Sequence, residues 1–390
     1  MWITRLHAEA LRVYDELVIH FERGVNLISG PNGAGKSTVL EGIEYLSSGR
    51  SLRAKRDREL IKWNCQQCTL HCDFTDRAGS AERINALVDA NQGRSVKVND
   101  KVQTHLRDWI GRLKTVSFSR EDLELVSGDP SVRRRFLNLE ISKLRPQYLQ
   151  FFSQYRRSLE QRNALLKELR RGHVSSGVLE QWDRSLVEYG SRVVAERIEF
   201  LRSLSRSATL VQQRLTDGSE RLHVEYECSF DLTDLQMNER NDLEVEQVKE
   251  RFRHSLSEKR REELDRGVTL IGPHRDDMCL LLGLTASKSD EINWVDMRKF
   301  SSQGQGRTAA LAVKLGLARM TLEAKGDPPI LLLDDVFSEL DAVRRKAIVQ
   351  QFHSFDQLLI TTTDPGLIEP PSSLPFCHFA VSNGAVRRIT

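Results

Sequence analysis

The sequence predicts an α/β fold whose head is built from both ends of the chain, with a mainly helical second lobe inserted between them. Three observations carry that expectation. The apolar run Val25-Asn26-Leu27-Ile28 enters a glycine-rich turn followed by a helical pattern. The strongly apolar run Ile330-Leu331-Leu332-Leu333, near the other end, stops on two aspartates. Between them, from about residue 131, apolar residues change from the period of strands to that of helices.

In chain order, residues 2–8 and 16–21 read as paired antiparallel strands, with Leu17, Ile19 and Phe21 alternating. The strand over 25–28 opens into a helix from about Lys36 to Leu46. Residues 68–118 read as short strands joined by polar turns, of which Asn99-Asp100 is the clearest. Tyr148, Phe152, Tyr155, Leu159, Leu166 and Leu169 keep helical spacing, as do Leu179, Trp182, Leu186, Val193, Ile198 and Leu201. A helix over 146–171 would span about 38 Å, which makes a lobe or short arm and not a long coiled coil. A strand at 221–230 and a helix at about 240–264 complete this region. Strand Val268–Ile271, helix 307–323, strand 330–333, helix 341–353, strand 358–360 and a closing hairpin over 376–389 follow. The expected division is a head over 1–130 and 267–390, with the lobe at 131–266.

Composition is that of a globular chain: 390 residues, 39% hydrophobic and 29% charged. No apolar run of about 18 residues is present, and Met1–His7 lack the apolar core of a signal peptide, so a cytoplasmic protein without a membrane partner is expected. Cys65, Cys68, His71 and Cys72 resemble zinc ligands. Read as a strand, however, Cys68 and Cys72 stand about 13 Å apart with His71 on the opposite face, too far to share one ion. The net charge of +3 identifies no partner, but residues 131–215 carry 17 Lys/Arg against 8 Asp/Glu, while 216–266 carry 9 against 15. An arginine-rich half beside an acidic one suits an anionic partner, or two solvated faces that balance.

Gly30-Pro31-Asn32-Gly33-Ala34-Gly35-Lys36-Ser37-Thr38 matches the P-loop pattern, with a strand before it and a helix after it. Glycines let successive N–H groups turn toward an anion, and the helix N-terminus adds positive partial charge. ATP binding is therefore expected, with Lys36 on the β- and γ-phosphates and Ser37 on Mg²⁺. A carboxylate from a neighbouring buried strand must complete the metal site. Asp334 is expected there, and Asp335 is expected to orient or deprotonate the attacking water; an N-cap role fits one of the two acids at most.

Ser301-Ser302-Gln303-Gly304-Gln305-Gly306 precedes the acidic strand, and Ser338-Glu339-Leu340-Asp341 follows it. This order resembles an ABC ATPase: a signature loop with Ser302, Gly304 and Gln305, the acidic strand, then a D-loop with Asp341. The resemblance implies that the signature loop covers the γ-phosphate bound by a partner chain, so that an ATP-dependent, head-to-tail homodimer closes around two nucleotides. A transporter's ATPase subunit would have an uninterrupted head, an SMC-type clamp would need longer heptad arms, and a small kinase or GTPase lacks the signature and D-loop pair.

Further stretches resemble the RecF family. They are Leu46-Ser47-Ser48-Gly49-Arg50-Ser51-Leu52-Arg53, Ser119-Arg120-Glu121-Asp122-Leu123, Gly128–Leu137 with its Arg133-Arg134-Arg135 triplet, Leu159–Lys167, and Gly272-Pro273-His274-Arg275-Asp276-Asp277. The resemblance implies a protein that binds double-stranded DNA near gaps or double-strand/single-strand junctions, dimerises with ATP, supports the SOS response, and works with RecR and RecO to load RecA. By the same likeness Arg12 is expected to contact nucleotide phosphate. The Arg50, Arg53, Lys55, Arg56, Arg58 run and Arg133 and Arg134 are expected to meet DNA phosphates without reading sequence. The chain departs from the common ABC pattern in three places. No glutamine stands near Phe118 and Ser119, Thr361-Thr362-Thr363-Asp364 replaces the switch histidine (Thr363 is expected at the switch), and Asp335 replaces the catalytic glutamate. A weak, DNA-stimulated ATPase that acts as a switch is the expectation.

Overall fold

The computed structural model describes residues 1–51, 53–171, 176–232, 244–284 and 292–390. Strands β1 (Trp2–Leu11) and β2 (Tyr14–His20) pair antiparallel, as their alternation predicts, and β3 (Gly24–Ser29) leads into helix α1 (Lys36–Ser48). Then come β4 (Gln67–Thr75), β5 (Ala81–Asp89), β6 (Gly93–Val98), β7 (Lys101–Gln103) and β8 (Thr115–Phe118). Helices α2 (Glu124–Ser127), α3 (Pro130–Leu144), α4 (Tyr148–Arg170) and α5 (Leu179–Leu215) precede β9 (Glu220–Glu227) and α6 (Val245–Arg266). The predicted helix start at 240–243 lies outside the described residues, as does Leu52. The chain continues through β10 (Asp277–Leu284), β11 (Asn293–Asp296), α7 (Met297–Phe300), α8 (Gln303–Lys325), β12 (Ile330–Asp334), α9 (Ala342–Val349), β13 (Gln357–Thr362) and the hairpin β14 (Phe376–Ser382) and β15 (Ala385–Arg388).

The head sheet has the order β15-β14-β3-β13-β12-β8, parallel from β14 to β8. Strands β3 and β8 come from the first part of the chain and the other four from the last, which is the head built from both ends. Residues of β3, β12 and β13 are buried throughout, as a parallel sheet covered on both faces requires. One face packs on α1, which a six-stranded antiparallel sheet, β2-β1-β4-β5-β6-β7, covers on its other side. Ile28, Ile43, Leu70 and Leu359 share that core. The second face packs on α8 and the lobe helices, with Leu27, Val193, Leu204, Leu311 and Leu358 in one cluster. Helices α5 and α8 cross closely at Gly316, where an added Cβ would lie 2.8 Å from the Ala208 Cα.

The cysteine segment is the strand its pattern indicates. Cys68, Leu70, Cys72 and Phe74 face the core, while His71 stacks on His7 at 5.5 Å across the outer face. By contrast, Val268–Ile271 form no strand. Side chains satisfy their backbone groups instead: Asn163 Oδ1 accepts from Thr269 N–H at 2.8 Å, and Glu263 Oε1 accepts from Leu270 N–H at 2.8 Å. The extended segment lies slightly later, in β10, which pairs with both β9 and β11 to make a three-stranded sheet.

That polar segment is part of a buried lock in the lobe. Arg162, fully buried, donates to Asp183 and Glu263 at 2.6 Å each and to Thr269 Oγ1 at 2.8 Å, so it ties α4, α5 and α6 together. Arg197 donates to Pro273 O at 2.7 Å and Asn138 Oδ1 at 2.9 Å. Gly272 has φ 117°, and an added Cβ would meet Tyr155 Oη at 2.6 Å, so only glycine fits. His274 lies between Tyr155 Oη (2.6 Å, at Nδ1) and Thr269 O (3.2 Å, at Nε2), which makes it a neutral imidazole donating from Nε2.

Burial holds the His274 pKa down to about 4, from an ordinary value of 6.5. Below pH 6.5 the unfolded chain takes up this proton and the folded chain does not, so stability falls as pH drops toward 4. The loss attributable to this residue is about 3 kcal/mol. Urea melts at pH 7 and pH 4 should show that extra slope in the parent chain and lose it in His274→Gln. Equal slopes would place the acid sensitivity elsewhere.

Candidate nucleotide site

The phosphate cradle is assembled where β3 ends and α1 begins. Gly30, Gly33 and Gly35 have φ values of 156°, 77° and 110°, conformations that L side chains rarely adopt. At Gly35 the β1–β2 turn approaches so closely that a Cβ would lie 2.7 Å from Tyr14 Oη, and that hydroxyl donates to Gly35 O at 3.0 Å. Pro31, Asn32 and Gly33 form the exposed tip, with Ala34 and Thr38 half-buried behind it. Lys36 Nζ folds over the loop, donating to Gly30 O at 2.8 Å and Pro31 O at 2.9 Å. Burial lowers its pKa, and the nearby Asp335 and Asp334 oppose that shift. An ammonium in this position has only weak carbonyl acceptors to leave when an anionic phosphate arrives.

The acidic strand delivers its carboxylates beside this loop. Asp334 Oδ1 accepts from Ser37 Oγ at 2.7 Å and from Thr361 Oγ1 at 2.6 Å, and Oδ2 accepts from Arg53 Nη2. A hydroxyl and a buried carboxylate in contact are the donor set that an octahedral, oxygen-seeking Mg²⁺ takes from a protein. Asp335 adopts φ 52°, a left-handed conformation unusual outside glycine. Its N–H reaches Thr361 Oγ1 at 3.0 Å, and its Oδ1 is buried without a hydrogen-bond partner among the described residues. A cavity of about 20 Å³ borders it, lined by Phe118, Ser119, Arg307 and Leu340, with room for one water. An unpaired buried carboxylate oxygen beside such a space suits a base or an orienting group for water.

Sequence reasoning missed Thr361. Its signal was available: β13 runs parallel to β12 with Asp334 opposite Thr361, so the first threonine of the run meets the acid. Thr363, expected at the switch, stands exposed beyond the strand end. Arg12 braces α1, with Nε and Nη2 on Glu41 at 3.1 and 2.8 Å. Arg53, exposed along much of its side chain, reaches into the nucleotide site and pairs with Asp334, which meets the buried carboxylate's need for a cation.

The signature loop is the N-terminus of α8. Ser302 Oγ accepts from Gln305 N–H at 3.2 Å, and the Gln305 side chain accepts from Ser302 N–H at 3.0 Å, a reciprocal cap. Ser302 is exposed. Gly304 faces Arg344, which Asp341 holds at 2.7 Å while capping α9 through Arg344 N–H at 2.8 Å, so signature and D-loop stand side by side. That N–H contact is the main reason the Asp341 pKa is lowered. Phe300 and Val343, each 72% exposed, flank these two loops.

The model of the RecF/RecN/SMC N terminal domain matches residues 2–376. "DNA replication and repair protein RecF" of Halothermothrix orenii is 36% identical over all of this chain and 99% of its own length. The chain belongs to the RecF family. The Bacillus subtilis RecF protein is 35% identical over 99% of this chain and 100% of its own. A solved structure of the recombination mediator protein RecF with ATP, of the RecFOR pathway, superposes with a TM-score of 0.88 at 31% identity, covering 100% of this chain and 98% of that one. An Smc head bound to the C-winged helix domain of ScpA superposes at 0.54 with 13% identity, a likeness of fold.

Within this RecF-family chain the arginine triplet divides. Arg133 is 2% exposed and forms a bidentate pair with Asp277 at 2.8 and 2.7 Å, so it cannot reach DNA. Arg134 is half-buried and donates to Asp276 O at 2.9 Å. Both hold the Gly272–Asp277 segment to α3. Arg135 is exposed, as are Arg50, Lys55, Arg56 and Arg58. Among the described residues no helix is long and apolar enough to cross a membrane.

Proposed function

We propose that this RecF-family chain is an ATP-dependent DNA-binding protein of replication and repair. Two copies close head to tail around Mg²⁺-ATP on double-stranded DNA near gaps or junctions, and slow hydrolysis resets them. The observation that carries this reading is the pairing of two half-sites on one chain. The cradle brings Lys36, Ser37 and Asp334 together, while the α8 N-terminus, capped by an exposed Ser302, lies apart from it as a second anion-binding element. Exposed Phe300 and Val343 beside it suit burial against a second copy. The chain is divided here into a head and an inserted lobe, and the β9–β10–β11 sheet favours carrying the lobe past residue 266.

Lys36 would bind the β- and γ-phosphates, Ser37 and Asp334 would hold Mg²⁺, and bound Mg²⁺ supplies charge neutralisation on the phosphates. Asp335 would orient the water from its buried Oδ1, with its own N–H donating to the Thr361 hydroxyl and carbonyl oxygens to hold the acid in place. A short carboxylate without a histidine partner suits slow turnover. Family membership supports RecR, with RecO and RecA, as partners. Exposed Arg50, Arg56 and Arg135 are the candidates for DNA phosphates. Burial, then Arg94, Arg156 and Arg135, lower the Arg50 pKa, as expected where positive charges converge.

The test is duplex binding at several salt concentrations with ATP, ADP and no nucleotide. Affinity should be highest with ATP and fall steeply with salt, with a log–log slope of about −3 or steeper. Salt-insensitive binding, or equal affinity with ADP, would contradict the reading.

A further inference from the structure

Asp334 carries more donors than a metal ligand needs. Both hydroxyls fall on Oδ1, and the Arg53 guanidinium takes Oδ2. The Asp334 side chain is 10% exposed, so its charge demands a cation close by, and Arg53 supplies one from the protein. We propose that Arg53 is a built-in counter-ion that competes with Mg²⁺ for Asp334 and so sets how much Mg²⁺ the site requires. This rests on the reading of Asp334 as the metal-site carboxylate.

The surroundings are arranged for a side chain that swings on a fixed backbone. Ser51 Oγ donates to Glu41 and accepts from Arg53 N–H at 3.0 Å and Ala54 N–H at 2.8 Å, which pins the loop to α1. Arg12 holds the same glutamate through both of its carboxylate oxygens. The Arg53 side chain is itself partly exposed. A second carboxylate flanks the same guanidinium: Glu121 Oε1 lies 3.9 Å from Arg53 Nε and is itself largely exposed. Arg53 thus has an inner partner, Asp334, and an outer one, Glu121. A small cavity bounded by Ser37, Glu41, Arg53, Ser119 and Asp334 adjoins the inner position. With Arg53 outward, Asp334 is free for a divalent ion. With Arg53 inward, a cation already neutralises it, and Mg²⁺ must displace a charge-assisted hydrogen bond.

The measurement is equilibrium binding of a fluorescent, non-hydrolysable ATP analogue to the full chain while Mg²⁺ is titrated. Arg53→Ala should lower the Mg²⁺ concentration for half-maximal binding by roughly tenfold, the worth of about 1.4 kcal/mol. Glu121→Gln removes the outer partner at an exposed site, so it should fold normally and raise the Mg²⁺ midpoint about twofold to threefold. Arg53→Lys should lie between the parent and Arg53→Ala. If Arg53→Ala leaves the midpoint unchanged or raises it, or if Glu121→Gln lowers it, the proposal is overturned. If the parent chain binds the analogue equally well without Mg²⁺, the fault lies with the metal-site reading itself.

Discussion

Lys36→Ala is expected to weaken ATP binding by about 100-fold or more while leaving the fold intact. Among the described residues the ammonium donates to two P-loop carbonyls, so its removal costs the folded chain little. In the complex it would exchange those carbonyls for two anionic phosphate oxygens. Charge-assisted hydrogen bonds contribute about 1.5–3 kcal/mol each, and two of them account for a factor of 100 or more. Equilibrium binding of the fluorescent analogue, with thermal melting as the control for folding, measures both halves. Affinity within tenfold of the parent, with an unchanged melt, would mean that the loop's backbone N–H groups alone hold the triphosphate.

Ser302→Arg is expected to separate binding from assembly. Ser302 is exposed, and its side chain caps α8. Losing that cap costs about 1 kcal/mol, too little to unfold the chain. At the proposed interface, by contrast, a long cation would stand where a small hydroxyl and free N–H groups must approach the partner's γ-phosphate. Nucleotide affinity of the single chain should remain near that of the parent, and ATP-driven dimerisation should weaken by about 100-fold or more. Sedimentation with and without Mg²⁺-ATP reads the second quantity, and analogue binding at low protein concentration reads the first. A variant that still dimerises with ATP would place the interface elsewhere.

The head was legible in the sequence because its chemistry and its strand pattern are both local. The P-loop carries its own glycines, and Leu331-Leu332-Leu333-Asp334 can only be a buried strand that ends on a charge. The cysteine segment was also decided locally, since alternation put Cys72 and His71 on opposite faces. What misled were residues whose partners lie far along the chain. Val268–Ile271 has the composition of a strand, but Asn163 and Glu263 take its backbone groups, and no local pattern signals that. Arg133 looked like a surface triplet member, yet its guanidinium closes on Asp277. Arg53 sat in a basic run that suggested an outer face, while the buried Asp334 drew it inward. Arginine sequence spacing reports charge density, not the direction each side chain takes. Thr361 could have been found by aligning the two parallel strands before assigning the switch position.

The lobe's distinctive segments have a different lesson. Leu159–Lys167 and Gly272–Asp277 carry the family resemblance in sequence, and the structure spends their polar groups on one another. Arg162, Asn163, His274, Asp276 and Asp277 are buried or half-buried in hydrogen bonds that join α3, α4, α5 and α6. Such a network resists apolar replacement of single members because each lost partner leaves a buried polar group unpaired.

Sedimentation velocity of the parent chain at saturating Mg²⁺-ATP, with and without duplex DNA, is the most direct trial of the shared triphosphate. A dimer with ATP that falls apart with ADP is the expected result. A particle of one chain's mass under every one of those conditions would contradict it.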